Sequence, residues 1–372
     1  MRNEAVDLLR EMLKVYSPSG HETEIGSLLV EAMARLGYAS HIDSAGNAVG
    51  EFGHDEPVIL LCGHMDTVSG LIPVKMKGTR LYGRGAVDAK APLAAMLMAA
   101  TRLLREGFPC RVIVVGCVDE EGAGKGVNHL IESGPIPDYA IFGEPSGSTN
   151  ITIAYKGSLH LNVTVATRAS HSAAPWLSVN AIEEAFEIWK RIRNLGLGEP
   201  LPSKFYSFTS CMTRIEGGST ASTVPHRCSF HVDYRVPPPY DPVAFYDTVR
   251  STVTSCSKRD VSVTMSVEDY CPPFEADKNS VLVRALSLGI RRVTKQQAVL
   301  TKKTGTGDMN LYGSTMRIPV ATYGPGDSRL DHSAHEHIDV NEYLQGIDVL
   351  YEGLKALKMI HDHVHRGVSG GP

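Results

Sequence analysis

Apolar residues recur at helical spacing over residues 4–14 and 22–36, so each stretch presents one apolar face. The breaker Ser17-Pro18-Ser19-Gly20 separates them, and Gly37 ends the second. The run Val58-Ile59-Leu60-Leu61-Cys62 is apolar without interruption up to Gly63, the pattern of a strand buried on both faces. A helix over 89–105, stopped at Gly107, is followed by strands over 112–118 and 139–142. Strands separated by helical stretches of this length predict an α/β sheet with crossover connections.

From about Lys156 the pattern changes to alternation. Leu159, Leu161, Val163 and Val165 share one face of a strand, which implies a sheet covered on one side only. A helix over 179–193 and alternating strands over 228–236 and 261–267 complete a small α+β insert, and helix and strand signals resume at Ser280. The expected architecture is a discontinuous α/β catalytic domain, residues 1–155 and 270–372, with a central mixed sheet flanked by helices. An inserted α+β domain occupies 156–269. The polar, Gly-rich tail from His361 to Pro372 is expected to fray.

The 372 residues agree with two to three domains at about 150 residues each. A net charge of −4 argues against a broad nucleic-acid surface. No apolar run approaches the ~18–20 residues of a bilayer span, and the start Met1-Arg2-Asn3-Glu4 fits neither a signal nor a transit peptide. The expectation is a soluble cytoplasmic protein. Seven scattered cysteines, odd in number and without a C-x-x-C pair, read as structural thiols rather than a disulfide framework or zinc site.

Chemistry-bearing residues gather just after predicted strands or at a helix entrance: His64-Met65-Asp66, Asp88, Asp119-Glu120-Glu121 and Glu144. In open α/β sheets, sites form outside the carboxyl ends of the strands, so these clusters can converge. His64 and Asp66 are two apart in an extended segment and point to one side, where a carboxylate can orient an imidazole. Alone, that pair reads as an ordinary strand-end histidine, and Asp119-Glu120-Glu121 as a solvated turn. Together, the carboxylates would repel unless cations neutralised them. Two divalent metals supply four positive charges, matched by Asp88, Glu121, Glu144 and a hydroxide, with one carboxylate left for proton transfer. Gly122-Ala123-Gly124-Lys125-Gly126 fails both the Rossmann and the P-loop spacing, and no G-x-S-x-G elbow is present.

In this order the motifs resemble the dinuclear-zinc metallopeptidases that include glutamate carboxypeptidase, acetylornithine deacetylase and succinyl-diaminopimelate desuccinylase. The resemblance implies His64 as a metal ligand with Asp66 as its partner, and Asp88, in Gly83-Arg84-Gly85-Ala86-Val87-Asp88, as the bridging ligand. It implies Glu120 as general base, with Glu121, Glu144 and His332 as the remaining ligands. His332 stands four residues before Glu336. Two divalent ions per chain are implied, Zn²⁺ or Co²⁺. Ser170-His171-Ser172-Ala173-Ala174-Pro175 resembles the family's lid or dimerisation domain, in which His171 would support the oxyanion of a partner subunit in a homodimer. Arg235 matches the position of the family's carboxylate-binding arginine. Ser222 departs from the asparagine that many relatives carry three residues before the proline at Pro225.

The segments Lys303-Thr304-Gly305-Thr306-Gly307-Asp308 and Tyr323-Gly324-Pro325-Gly326 are similar to the branch acting in lysine and arginine biosynthesis. This resemblance implies a metal-dependent amide hydrolase releasing lysine or ornithine from an acetylated or carrier-protein-linked form, with Thr306 at the substrate. A small acidic carrier protein is the implied partner. Arg291, Arg292, Lys295, Lys302 and Lys303 form a basic cluster that could meet it, or simply a solvated helix face. A carboxypeptidase or dipeptidase of the same family, and a non-catalytic peptide-binding relative, are the alternatives.

Overall fold

The computed structural model describes residues 1–196, 203–256 and 260–366. They divide into two compact units. The first comprises Met1–Ile153, Ala276–Lys302 and the chain from Gly307 onward; the second comprises Ala154–Glu275 and Lys303–Thr306.

The first unit is built on a mixed sheet flanked by helices, as the helix and strand patterns predict. Its strands run in the order Ala39–Ile42, Ala48–Phe52, Arg111–Cys117, Val58–His64, Tyr139–Gly143, Val320–Thr322, Asn150–Tyr155. Val58–His64 is parallel to both of its neighbours, and Tyr139–Gly143 is parallel to Val320–Thr322. The outer pairings are antiparallel. The parallel strands are buried along their length, hence their unbroken apolar sequences. The strands Ala39–Ile42 and Ala48–Phe52 had no such signature, because each is short and carries polar residues.

A row of glycines crosses this sheet. Gly63 pairs with Gly116 on one side and Gly143 on the other. A methyl at Gly63 would stand 3.2 Å from Leu93 Cβ, one at Gly143 3.0 Å from Met96 Sδ, and one at Gly116 3.0 Å from a Leu29 methyl. The helices Lys90–Arg105 and Thr23–Leu36 therefore press directly on the backbone. On the opposite face, Tyr312 of the helix Asp308–Met316 lies 5.4 Å from the Phe142 ring.

The final helix, Val340–Arg366, runs through the first half of the segment expected to fray. His361 is buried there, its Nδ1 3.1 Å from the Tyr139 hydroxyl, and this contact with a central strand holds a polar sequence in helical order. The rest of the expected tail, 367–372, lies outside the described residues. Among the described residues, no helix is long and apolar enough to cross a membrane.

The second unit contains a four-stranded antiparallel sheet in the order Thr209–Gly217, Arg227–Val236, Gly157–Ala166, Ser262–Cys271. Leu159, Leu161, Val163 and Val165 face a core shared with Phe230, Val232 and the helices Ala181–Ile192 and Pro242–Cys256, while the alternate positions are only partly buried. One-sided alternation in sequence thus reports a one-sided sheet. The helix begins at Asn180, whose side chain accepts from the Ile182 N–H.

Candidate metal centre

Three parallel strands deliver their carboxyl ends to one place in the first unit. His64 ends Val58–His64, Glu120 and Glu121 follow Arg111–Cys117, and Glu144 follows Tyr139–Gly143. Asp88 arrives from the loop before the helix Lys90–Arg105, and His332 from the segment before the strand His337–Asp339.

The donors form two overlapping groups. His64, Asp88 and Glu144 place one ligand atom each within 4.8 Å of one another, and so do Asp88, Glu121 and His332. Asp88 belongs to both, and its two oxygens divide between them: Oδ1 is 3.2 Å from His64 Nε2, and Oδ2 is 3.1 Å from His332 Nε2. Glu144 Oε1 stands 3.6 Å from His64 Nε2, and Glu121 Oε1 2.9 Å from His332 Nε2. Glu120 joins His64 and Glu121 in a further group of the same size.

Local geometry fixes which atoms face the centre. His64 Nδ1 donates to the Asp66 carbonyl at 3.0 Å, which turns Nε2 toward Asp88 and Glu144. The Asp66 carboxylate is farther from that ring, 3.5 Å from Nδ1. It accepts instead from the Glu120 and Glu121 N–H groups at 3.1 Å each, and from the Ser19 hydroxyl at 2.7 Å. Asp66 thus orients the imidazole mainly through its backbone and holds the acidic loop with its side chain. Asp119 and His332 both adopt left-handed backbone, with φ of 62° and 59°. Such strain at non-glycine residues persists only where surroundings hold it.

The electrostatics identify what the donors suit. Four carboxylates and two imidazoles share a small volume. Burial pushes Glu120 up to about 7, with the charges of Asp88, Glu121 and Asp66 adding to the rise. Burial likewise raises Glu121. Asp88 is held well below the usual carboxylate range: burial opposes this, but hydrogen bonds to His332 and His64 prevail. The Asp88 contact raises His332 to about 9. His64 also rises, because its bonds to Asp66 and Asp88 and the charges of Glu120 and Glu144 outweigh its burial. Glu120, Glu121, His64 and His332 all hold protons more tightly than usual, the mark of a site with excess negative charge. Mixed nitrogen and oxygen donors with that charge fit two divalent cations.

In the sequence Glu336 serves only to locate His332, and the structure gives it a role of its own. Its buried carboxylate pairs with Arg84 at 2.8 Å and accepts N–H groups of Gly85, Val87 and Asp88 at 3.1, 2.8 and 3.0 Å. The loop carrying Asp88 is therefore wrapped around a fixed anion. Replacing Arg84 with Met should leave that anion buried without its cation and cost about 3 kcal/mol, the lower end for a broken buried pair, because the N–H bonds remain. Denaturant unfolding of the metal-free protein measures this; a loss below about 0.5 kcal/mol would show the pair to be a surface-like one.

The other expected site residues lie in the second unit. His171 is exposed, and its Nδ1 accepts the Ala173 N–H at 3.1 Å, so the ring proton sits on Nε2. Arg235 Nε and Nη2 both bond to Asp233, at 3.2 and 2.9 Å. Thr306 is exposed, between the strand Val299–Lys303 and the helix Asp308–Met316.

The chain belongs to the peptidase family M20/M25/M40, whose model matches residues 60–356. It is a hydrolase of amide bonds. It is 37% identical over 356 residues to a Thermococcus kodakarensis protein provisionally named LysW-lysine/LysW-ornithine hydrolase, covering 95% of this chain and 92% of that one. It is 33% identical to the LysW-lysine hydrolase of Deinococcus radiodurans, over 95% of this chain and 97% of that one. Among solved structures, a Staphylococcus aureus tripeptidase matches with a TM-score of 0.82 at 20% identity, over 96% and 98% of the two chains. A dinuclear metal-binding peptidase of the M20 family from Bacillus subtilis matches with a TM-score of 0.74 at 15% identity, over 97% and 98%. These likenesses bear out the α/β architecture and the family resemblance.

Proposed function

We propose that this enzyme releases lysine or ornithine from an N-α-protected form carried on the terminal glutamate of a small acidic carrier protein, using two divalent cations, Zn²⁺ or alternatively Co²⁺. The observation that carries the reading is Asp88 shared between two three-donor groups, with Glu120 beside both. The names of the similar hydrolases supply the substrate class.

His64, Asp88 and Glu144 would hold one ion, and Asp88, Glu121 and His332 the other. Bound there, the ions polarise the scissile carbonyl and make water acidic. Glu120 takes a proton from the attacking water as the new C–O bond forms. It returns that proton to the departing nitrogen as the C–N bond breaks, so a carboxylate and a free amine result. Asp66 keeps Glu120 in place through its N–H. His171, with its proton on Nε2, is a donor suited to the developing oxyanion and would act from a partner subunit of a homodimer. Arg235, fixed by Asp233, would offer its remaining N–H groups to the substrate carboxylate, and Thr306 a hydroxyl. In this reading 1–155 and 270–372 form the catalytic domain and 156–269 the lid and dimerisation domain.

A substrate panel with Zn²⁺ or Co²⁺ tests the proposal. The lysine- or ornithine-charged carrier should give the highest kcat/KM, above N-acetyl-lysine, N-acetyl-ornithine and simple dipeptides. Preference for a dipeptide would establish the carboxypeptidase or dipeptidase reading, and turnover of none would overturn both.

A further inference from the structure

The first unit also carries a groove of about 550 Å³ whose lining includes none of the candidate metal ligands. Its walls come from a three-stranded sheet in the order His337–Asp339, Arg80–Tyr82, Lys75–Lys77. Register places Lys75 beside Tyr82 and Tyr82 beside His337, and Lys77 beside Arg80 and Arg80 beside Asp339. Positions two apart in a strand share a face, so all six side chains project to the same side. The intervening Leu81 and Ile338 are buried on the other side.

That outer face is cationic. Lys75, Lys77 and Arg80 are exposed, and among the described residues none of them is in an ion pair. The two ammonium groups lie 5.6 and 5.9 Å from the centroid of the Tyr82 ring, which also stacks on His337 at 4.7 Å. The single carboxylate on the face, Asp339, already accepts from the Thr79 hydroxyl at 2.6 Å. Among the described residues, no carboxylate lines the groove. Lys75–Lys77 is moreover the outer strand of its sheet, with all three residues exposed. An outer strand with unpaired backbone groups can take an extended chain alongside it.

The groove shares a chain segment with one candidate ligand. Ala334 and His335 line it, and His332 lies three residues earlier on the same segment. Arg84 fixes that segment by donating to the Ser333 carbonyl at 3.2 Å and to Glu336.

We infer that the Lys75–Arg80 face with Tyr82 and His337 is the docking surface for an acidic protein partner, whose extended terminal segment runs along it and presents its last residue to the metal centre. This rests on the carrier-linked substrate proposed above and names where the carrier sits. The cluster at 291–303 is a poorer choice. Arg292 there is paired with Glu352 at 3.2 Å, and Lys295 caps its own helix by donating to the Arg292 carbonyl.

The test compares the double variant Lys75→Glu/Lys77→Glu with the control Arg291→Glu/Lys295→Glu, both on exposed positions. Substrates are a lysine-charged acidic carrier protein and free N-acetyl-lysine. For the groove variant, KM for the charged carrier should rise about tenfold or more at low salt, with kcat within about twofold. Its salt dependence should flatten, while N-acetyl-lysine kinetics stay unchanged. The control should behave as wild type. Unchanged carrier KM in the groove variant, an equal loss on N-acetyl-lysine, or an effect confined to the control would each overturn the docking surface alone. Tighter binding of a single-stranded oligonucleotide than of the carrier protein would reassign the face and overturn the inference. Wild-type enzyme that fails on the charged carrier would overturn the proposed substrate and the docking surface together.

Discussion

Glu120→Gln is expected to lower kcat by about 10²–10⁴-fold, the range that positioned proton transfer contributes. The metal content should stay at two per chain, because neither three-donor group that shares Asp88 includes Glu120. The substitution keeps the size of the side chain and leaves its N–H bond to Asp66 in place. KM should change little, since the lost interaction operates while bonds are exchanged rather than on binding. Single-turnover kinetics and elemental analysis of the same preparation give both readouts. Near-wild-type turnover with metals retained would remove Glu120 from the mechanism. Loss of metal with loss of turnover would instead make it a ligand.

Asp88→Ala should act on both halves of the centre at once. One oxygen faces His64 and the other His332, so no other residue supplies what it gives to either group. Turnover should fall about 10³-fold or more, the equivalent of the several kcal/mol that cation stabilisation of charge contributes. Metal stoichiometry should fall below one per chain, whereas Glu144→Ala or His332→Ala should each spare part of it. Added metal should raise the Tm of wild type, through preferential binding to the folded state, and barely move that of the variant. The metal-free variant should be less stable than metal-free wild type at neutral pH, because the ionised Asp88 is favoured in the folded state by His332 and His64. A variant that still holds two metals would exclude a bridging role for Asp88.

That the candidate donors converge was legible because each motif is local: a few residues at a strand end, where topology brings strand ends together. The groups that support them were not legible, since their partners are distant in sequence. Ser19 read as part of a breaker, yet its hydroxyl bonds to Asp66 forty-seven residues away. Glu336 served only as a landmark, although its carboxylate organises a loop about 250 residues earlier. The buried strands announced themselves through unbroken apolar runs, and the insert through alternation. The short outer strands at 39–42 and 48–52 did not, because their pairing derives from neighbours rather than from their own pattern. His361 shows the same lesson at the end of the chain, where polar composition suggested fraying and one buried contact gave helix.

The glycine row has a consequence for how such an enzyme can change over time. Gly63, Gly116 and Gly143 each lie within a few residues of a donor, and each is a point where a helix rests on bare backbone. Even an alanine there would need Leu93, Met96 or Leu29 to give by a few tenths of an ångström, on strands whose ends lead to His64, Glu121 and Glu144. Mutational drift in this row is therefore coupled to the spacing of the donors, and selection on metal affinity would act on residues that never touch a metal. The groove strand carries no such constraint: Lys75, Met76 and Lys77 are exposed and none of them touches the row, so they can vary in sequence while the spacing of the donors stays fixed.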